Sequence, residues 1–236
     1  MAKKAVTFDG VDFLSIRLEG GDPNGENKST EELVQLVKDV AAAVDVPLVV
    51  CGCKHVEKDA ELLDKAAAAL EGKNAMILAA KEENYKTIGA SAGLAYKQIV
   101  GAESAVDINL AKQLNVLLTQ LGVDGKSVVM NVGSAAAGYG FEYVVSTMDR
   151  IKAAAMSQGD ATLQMPIITP VASEVWGVKE AMASEEDMPE WGCQEARGVD
   201  MEIETAAAVL ASGSNAVILK HPESVKTIKT LITELV

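Results

Sequence analysis

Aromatic side chains are scarce in this chain: three Phe, four Tyr and two Trp in 236 residues. A core so poor in rings must be built from aliphatic side chains. Apolar residues make up 49% of the chain, enough for one large domain, expected here to span 1–236. Cysteine is also sparse, three in all, which excludes a disulfide scaffold and fits a reducing cytoplasm. No run of eighteen apolar residues occurs, so no segment reads as a membrane span. The opening "MAKKAVTFDG" lacks the apolar stretch of a signal peptide. Positive charge is outnumbered, 21 Lys and Arg against 34 Asp and Glu, for a net −13. That balance repels phosphate backbones and anionic lipid, so neither nucleic acid nor a membrane is an expected partner.

What is present is an alternation. Strand-like runs occur at 11–18, 46–53, 74–80, 98–104, 127–133, 165–172 and 215–221. Each is short, nearly all apolar and rich in Val and Ile, the pattern of parallel strands buried on both faces. Helical stretches separate them. "STEELVQLVKDVAAAV" opens with a capping box, Ser29 and Glu32, followed by an apolar stripe of Leu33, Leu36, Val37, Val40 and Val44. "EKDAELLDKAAAALEG", "DINLAKQLNVLLTQLG" and "GVDMEIETAAAVLASG" repeat the theme, each ending on a Gly that can take the left-handed position after a helix.

Strict βα alternation gives a doubly wound sheet or a TIM (β/α)8-type barrel. After the first strand, Gly20, Gly21 and Gly25 are off the G-x-G-x-x-G spacing, and no Walker A loop occurs, so the barrel is the expected fold. A complete barrel needs eight strands. Seven runs are found, and the residues before Val11 are too few for another βα unit, so the first strand is expected to be missing from this chain.

The strand-to-helix connections carry the unusual chemistry. In a barrel they gather at the C-terminal ends of the strands, where function resides. Polar groups there include Asn84, Tyr85, Lys86, Asp107, Asn109, Asn131, Tyr139, Glu142, Glu174 and Arg197. "CGCKH" (51–55) has soft-metal ligand types but no fourth ligand by spacing, so no metal site is expected; buried cysteines serve more often as small apolar residues. No Ser-His-Asp arrangement can be argued from spacing, and no catalytic residue is assigned. "SAAAGYGFEY" (134–143) fits either the close approach of a planar ligand or a tight turn into a helix. Both tryptophans lie in one long connection, 174–198. With Trp176, Trp191 and Arg197, residue types enriched at binding hot spots, that connection reads as a partner interface; the competing reading is a local staple onto the barrel.

Five segments in order, "ENYKTI" (83–88), "DINLAKQLN" (107–115), "GYGFEY" (138–143), "EVWGVKEA" (174–181) and "EWGCQEARG" (190–198), closely resemble the small (delta) subunit of the corrinoid/iron–sulfur protein of the acetyl-CoA synthase/decarbonylase system. The resemblance runs over essentially the whole chain. It implies a TIM barrel paired with a large corrinoid/iron–sulfur subunit that carries the iron–sulfur cluster and most of the cobamide site. The barrel mouth would help hold the cobamide that shuttles a methyl group from methyltetrahydropterin to acetyl-CoA synthase, in the reductive acetyl-CoA (Wood–Ljungdahl) pathway. A methyltransferase and acetyl-CoA synthase would be transient partners. Asn84, Tyr85, Asp107, Asn109, Asn131, Tyr139, Glu174 and Trp176 would face the cofactor, and Trp176, Trp191 and Arg197 the partner. In the family a strand precedes the one at Val11, so the chain is expected to be a fragment or a short member. It departs from the family at "VDMEIET" (199–205), which keeps Glu202 but has Met201 where an aromatic is expected. The alternative function is a pterin-binding barrel methyltransferase that itself passes methyl to the corrinoid. Asp107, Asn109 and Asn131 would hold the ring, with no basic cluster for a glutamate tail.

Overall fold

The computed structural model describes residues 1–235. The chain forms two compact units. The first comprises Met1–Thr7, Val11–Ser104 and Asn109–Asn131; the second comprises Phe8–Gly10, Ala105–Ile108 and the chain from Val132 onward.

The first unit opens with a single turn, α1 (Ala2–Ala5), and then builds a five-stranded sheet: β1 (Leu14–Arg17), β2 (Leu48–Cys51), β3 (Ala75–Ala80), β4 (Ile99–Glu103) and β5 (Val128–Asn131). Every strand pairs in parallel with the next one in sequence, in the order β1-β2-β3-β4-β5. A doubly wound sheet reverses its strand order partway; a sheet that only adds neighbours follows the winding of a barrel. Val50, Ile77, Val100 and Val128 are wholly buried, as two-sided burial requires.

The helices obey the same logic. The capping box forms at the start of α2 (Thr30–Ala43): Ser29 Oγ accepts from Glu32 N–H and Glu32 reaches back to Ser29 N–H. Of the expected stripe, Leu33, Val37 and Val44 are buried, joined by Ala41, whereas Leu36 is 46% exposed. Leu33, Val37 and Ala41 stack four apart on one face, and Leu36 falls on its flank. α3 (Val56–Ala69), α4 (Tyr85–Ile88), which continues as a wide π turn over Gly89–Ala95, and α5 (Ile108–Leu121) complete the layer; Leu62, Ile88, Leu114 and Leu118 are fully buried.

The second unit holds α6 (Phe141–Ser157), β6 (Ile168–Thr169), α7 (Val171–Val175), α8 (Lys179–Met182), α9 (Gln194–Ala211), β7 (Ala216–Val217) and α10 (Pro222–Leu235). β6 and β7 pair in parallel, again sequential neighbours. Among the described residues each of the seven expected runs contains a strand, though the last two shrink to a pair of residues each.

Candidate functional site

The C-terminal ends of the first unit's strands carry a polar row. Arg17, Cys51, Glu103 and Asn131 are the final residues of β1, β2, β4 and β5. Arg17 is the register partner of Cys51, and Glu103 of Asn131, so within each pair the side chains leave the same face of the sheet. The register between β3 and β4 shifts between Leu78 and Ala80, pairing Ala80 with Ala102 and bringing Lys81 beside Glu103. Lys81 Nζ lies 3.1 Å from Glu103 Oε1, and Asn131 Nδ2 donates to Glu103 Oε2 across 3.4 Å. Arg17 pairs with Glu19 at 3.0 Å, and Ser15 Oγ sits 3.5 Å from Cys51 Sγ.

Burial pushes the Cys51 thiol up, and burial, with the neighbouring Asp59 adding to it, pushes Cys53 up to about 11. Both therefore remain protonated thiols at neutral pH, poor metal ligands and poor nucleophiles. Asp59, itself buried on α3, accepts from the backbone N–H groups of Cys53 and Lys54 at 2.7 and 3.1 Å. Gly52 is required there, because a Cβ would strike the Asp59 carboxyl group. Asn84, 4% exposed, accepts from Lys81 N–H at 2.7 Å and fixes the turn into α4; Tyr85 is half-buried beside it, with Lys86 Nζ 5.9 Å from its ring centroid. Asn109 lies exposed in the first turn of α5.

In the second unit, Asp107 is exposed just ahead of α5, after two non-glycine residues with positive φ, Ala105 and Val106. The segment 134–143 leads into α6, as the turn reading expects, with Gly140 left-handed at the N-cap; a Cβ on Gly138 would meet nothing. Tyr139 stands 48% exposed and donates its hydroxyl to Glu180. That bond raises the Tyr139 phenol and lowers the Glu180 carboxyl from their ordinary values. Glu142 is exposed on α6, and Glu174 is half-buried, accepting from Ser173 Oγ at 3.0 Å.

The tryptophan connection is braced from within. Arg197 on α9 donates to three loop carbonyls, those of Glu180 (2.9 Å), Gly192 (3.0 Å) and Ala183. Trp191, half-buried, has the cations of Lys179 and Arg197 at 5.3 and 5.6 Å from its ring centroid. Trp176 rests on Gly198, where a Cβ would come within 2.5 Å of the indole. It stacks on His221 at 6.1 Å, with Lys220 Nζ 5.0 Å from its centroid. Glu202, wholly buried on α9, holds that pair in place by accepting from the N–H groups of Lys220 (2.7 Å) and His221 (3.1 Å).

Sequence reasoning assigned no role to Lys81, Glu103, Asp59 or Glu202. The readable signal was a charge inside an apolar pattern: Glu103 closes "IVGAE", and Glu202 falls in the stripe of Val199, Ala206 and Val209. Among the described residues, no three His, Cys, Asp or Glu side chains come together as a metal-ion set, and no helix is long and apolar enough to cross a membrane.

Comparison with solved structures gives the fold. A dihydropteroate synthase from Yersinia pestis in complex with a sulfonamide drug aligns with a TM-score of 0.62 at 12% identity, covering 96% of this chain and 80% of that one. The Thermus thermophilus enzyme aligns with a TM-score of 0.59 at 15% identity, over 100% of this chain and 87% of its own. These are TIM barrels, and the present chain has the same α/β class, with seven strands described. Among curated proteins, the acetyl-CoA decarbonylase/synthase complex subunit delta of Archaeoglobus fulgidus is 34% identical over 240 residues, 99% of this chain and 52% of the relative. That of Methanocaldococcus jannaschii is 33% identical over 231 residues, 98% and 56% respectively, so the chain spans about half the length of the curated relatives it matches. The family model for the CO dehydrogenase/acetyl-CoA synthase delta subunit matches residues 1–231, and the chain belongs to that family.

Proposed function

We propose that the chain acts as a binding scaffold in a corrinoid methyl carrier. It would pair with a large corrinoid/iron–sulfur subunit and meet a methyltransferase and acetyl-CoA synthase in turn. The observation that carries this reading is the braced connection from Glu174 to Gly198. Arg197 ties it down through three carbonyls, yet Trp176 and Trp191 stay half-exposed. A surface held in one conformation before binding loses little entropy when a partner docks, and Trp with Arg is the composition of a hot spot. Family membership supports the same reading.

The residues fit a broad planar cofactor whose rim carries amide groups. The loop after β5 is small and open at Gly138, and Tyr139 and Tyr143 offer exposed phenols, 48% and 67%, that can hydrogen-bond to such amides. The cobamide, held mainly by the partner, would supply the cobalt that takes up and releases methyl. This chain would position that group and limit water around it.

Co-expression with the large corrinoid/iron–sulfur subunit, followed by gel filtration, tests the reading. The chain should co-elute with the red corrinoid protein. Trp191→Ala should weaken the complex by about 2 kcal/mol, about thirtyfold, with little change in melting temperature. Separate elution of the wild-type chain would sink the scaffold role. A Trp191→Ala variant that melts far lower yet binds normally would make the loop a staple instead.

A further inference from the structure

Where the helix-to-strand links lead into β6 and β7, the second unit has a cleft of about 510 Å³ lined by Lys152, Ala155, Met156, Leu163 and Gln164. That volume falls within the about 300–1,000 Å³ of small-molecule sites. Lys152 and Met156 lie four apart on α6 and so share one of its faces. The Lys152 stem packs on Gly213, where a Cβ would come within 2.6 Å of Lys152 Cε. Lys152 Nζ reaches Asn215 Oδ1 at 3.5 Å, and that oxygen already accepts from Ile167 N–H at 2.9 Å. Among the described residues no carboxylate pairs with Lys152. Asp160, the acid in the adjoining turn, accepts instead from the Thr162 N–H and hydroxyl at 3.0 and 2.6 Å. Burial pushes the Lys152 ammonium below its ordinary value.

A partly desolvated cation without a counter-ion is stabilised by an anion that reaches it. The surroundings set which anion. The cleft lies against the C-terminal end of α6, whose free carbonyls carry partial negative charge. A phosphate dianion is disfavoured there, and a single carboxylate matches the single ammonium. Gln164 donates one amide hydrogen to Ala155 O at 3.2 Å and keeps a second for the other carboxylate oxygen. Ala155 and Leu163 supply an apolar wall, and Met156, 81% exposed, is a flexible thioether that can lie along an aliphatic tail. A charged head alone would leave Met156 in water, whereas a tail would cover it. We infer that this cleft binds a monocarboxylate with an unbranched aliphatic tail, its head on Lys152 and Gln164 and its tail along Met156. The site belongs to this chain alone and does not depend on the carrier role.

Calorimetry on the full chain at neutral pH tests the proposal with two probes of equal length, octanoate and 1-octanol. Octanol keeps the tail and lacks the charge. The wild-type chain should bind octanoate saturably and at least about tenfold more tightly than octanol. Lys152→Gln, checked for folding by its melting curve, should weaken octanoate at least about tenfold and remove that preference. A second readout locates the site in the unaltered chain. Trace acetylation of amines with acetic anhydride, followed by peptide mass mapping, should slow several-fold at Lys152 when octanoate is bound and stay unchanged at the exposed Lys38. No saturable octanoate binding, equal affinity for the two probes, a folded Lys152→Gln variant with unchanged preference, or Lys152 acetylation indifferent to octanoate would overturn the proposal.

Discussion

The three thiols differ in a way that their side-chain chemistry alone does not explain. Cys51 and Cys53 sit at and just past the end of β2, where burial raises both; Cys193 is exposed at the N-cap of α9. A thiol reacts as its thiolate, so reaction needs both deprotonation and access. With iodoacetamide at neutral pH, Cys193 should be modified first, and Cys51 and Cys53 only after denaturant is added; peptide mass mapping reads this directly. The sign of the pH effect is fixed as well. A buried thiol raised to about 11 contributes stability that is fully present below the ordinary thiol value and lost as pH rises through about 11. Alkaline unfolding should therefore expose Cys53, whereas acid should leave it protected.

Among the elements, α9 carries the most consequential single side chain. Glu202 is wholly buried and takes two backbone N–H groups at the turn between β7 and α10. Removing a buried acceptor leaves its donors unpaired, so Glu202→Ala should cost about 3 kcal/mol in urea melts. Glu204→Ala, at an exposed position on the same helix, should stay within about 0.5 kcal/mol of wild type. The elements themselves were largely legible in the sequence. Strands buried on both faces declare themselves as apolar runs, and α2 announced its start through Ser29 and Glu32. α6 was legible only as one of two readings of 134–143, because its N-cap is a left-handed Gly140 without side-chain capping, and its first turn shows Tyr143 to solvent. The site was half legible. Asn84 and Asn131 stood out as polar groups at strand ends, whereas Glu103 was absorbed into an apolar run. Glu202 and Asp59 bond to backbone that the sequence pattern places on other elements.

At the scale of the whole molecule, the alternation of strand and helix suited a barrel and a doubly wound sheet alike; the off-spaced Gly20, Gly21 and Gly25 favoured the barrel, and the strand order, which follows the chain, agrees with it. Net charge governs another global property. Acidic groups keep the chains apart at neutral pH, and the sequence pI is about 4.6. Solubility should therefore pass through a minimum near that pH, measurable as a turbidity maximum that added salt shifts or broadens. Asp59 and Glu202, on separate helices, each hold the turn after a strand through pairs of main-chain N–H groups. A clip that grips the main chain is blind to side-chain identity. The path of those turns can thus be kept while the exposed Lys54 and Lys220 drift, and the tips become places where recognition can be rewritten without refolding the chain. Proline is the one replacement the clip refuses, because it has no N–H to give.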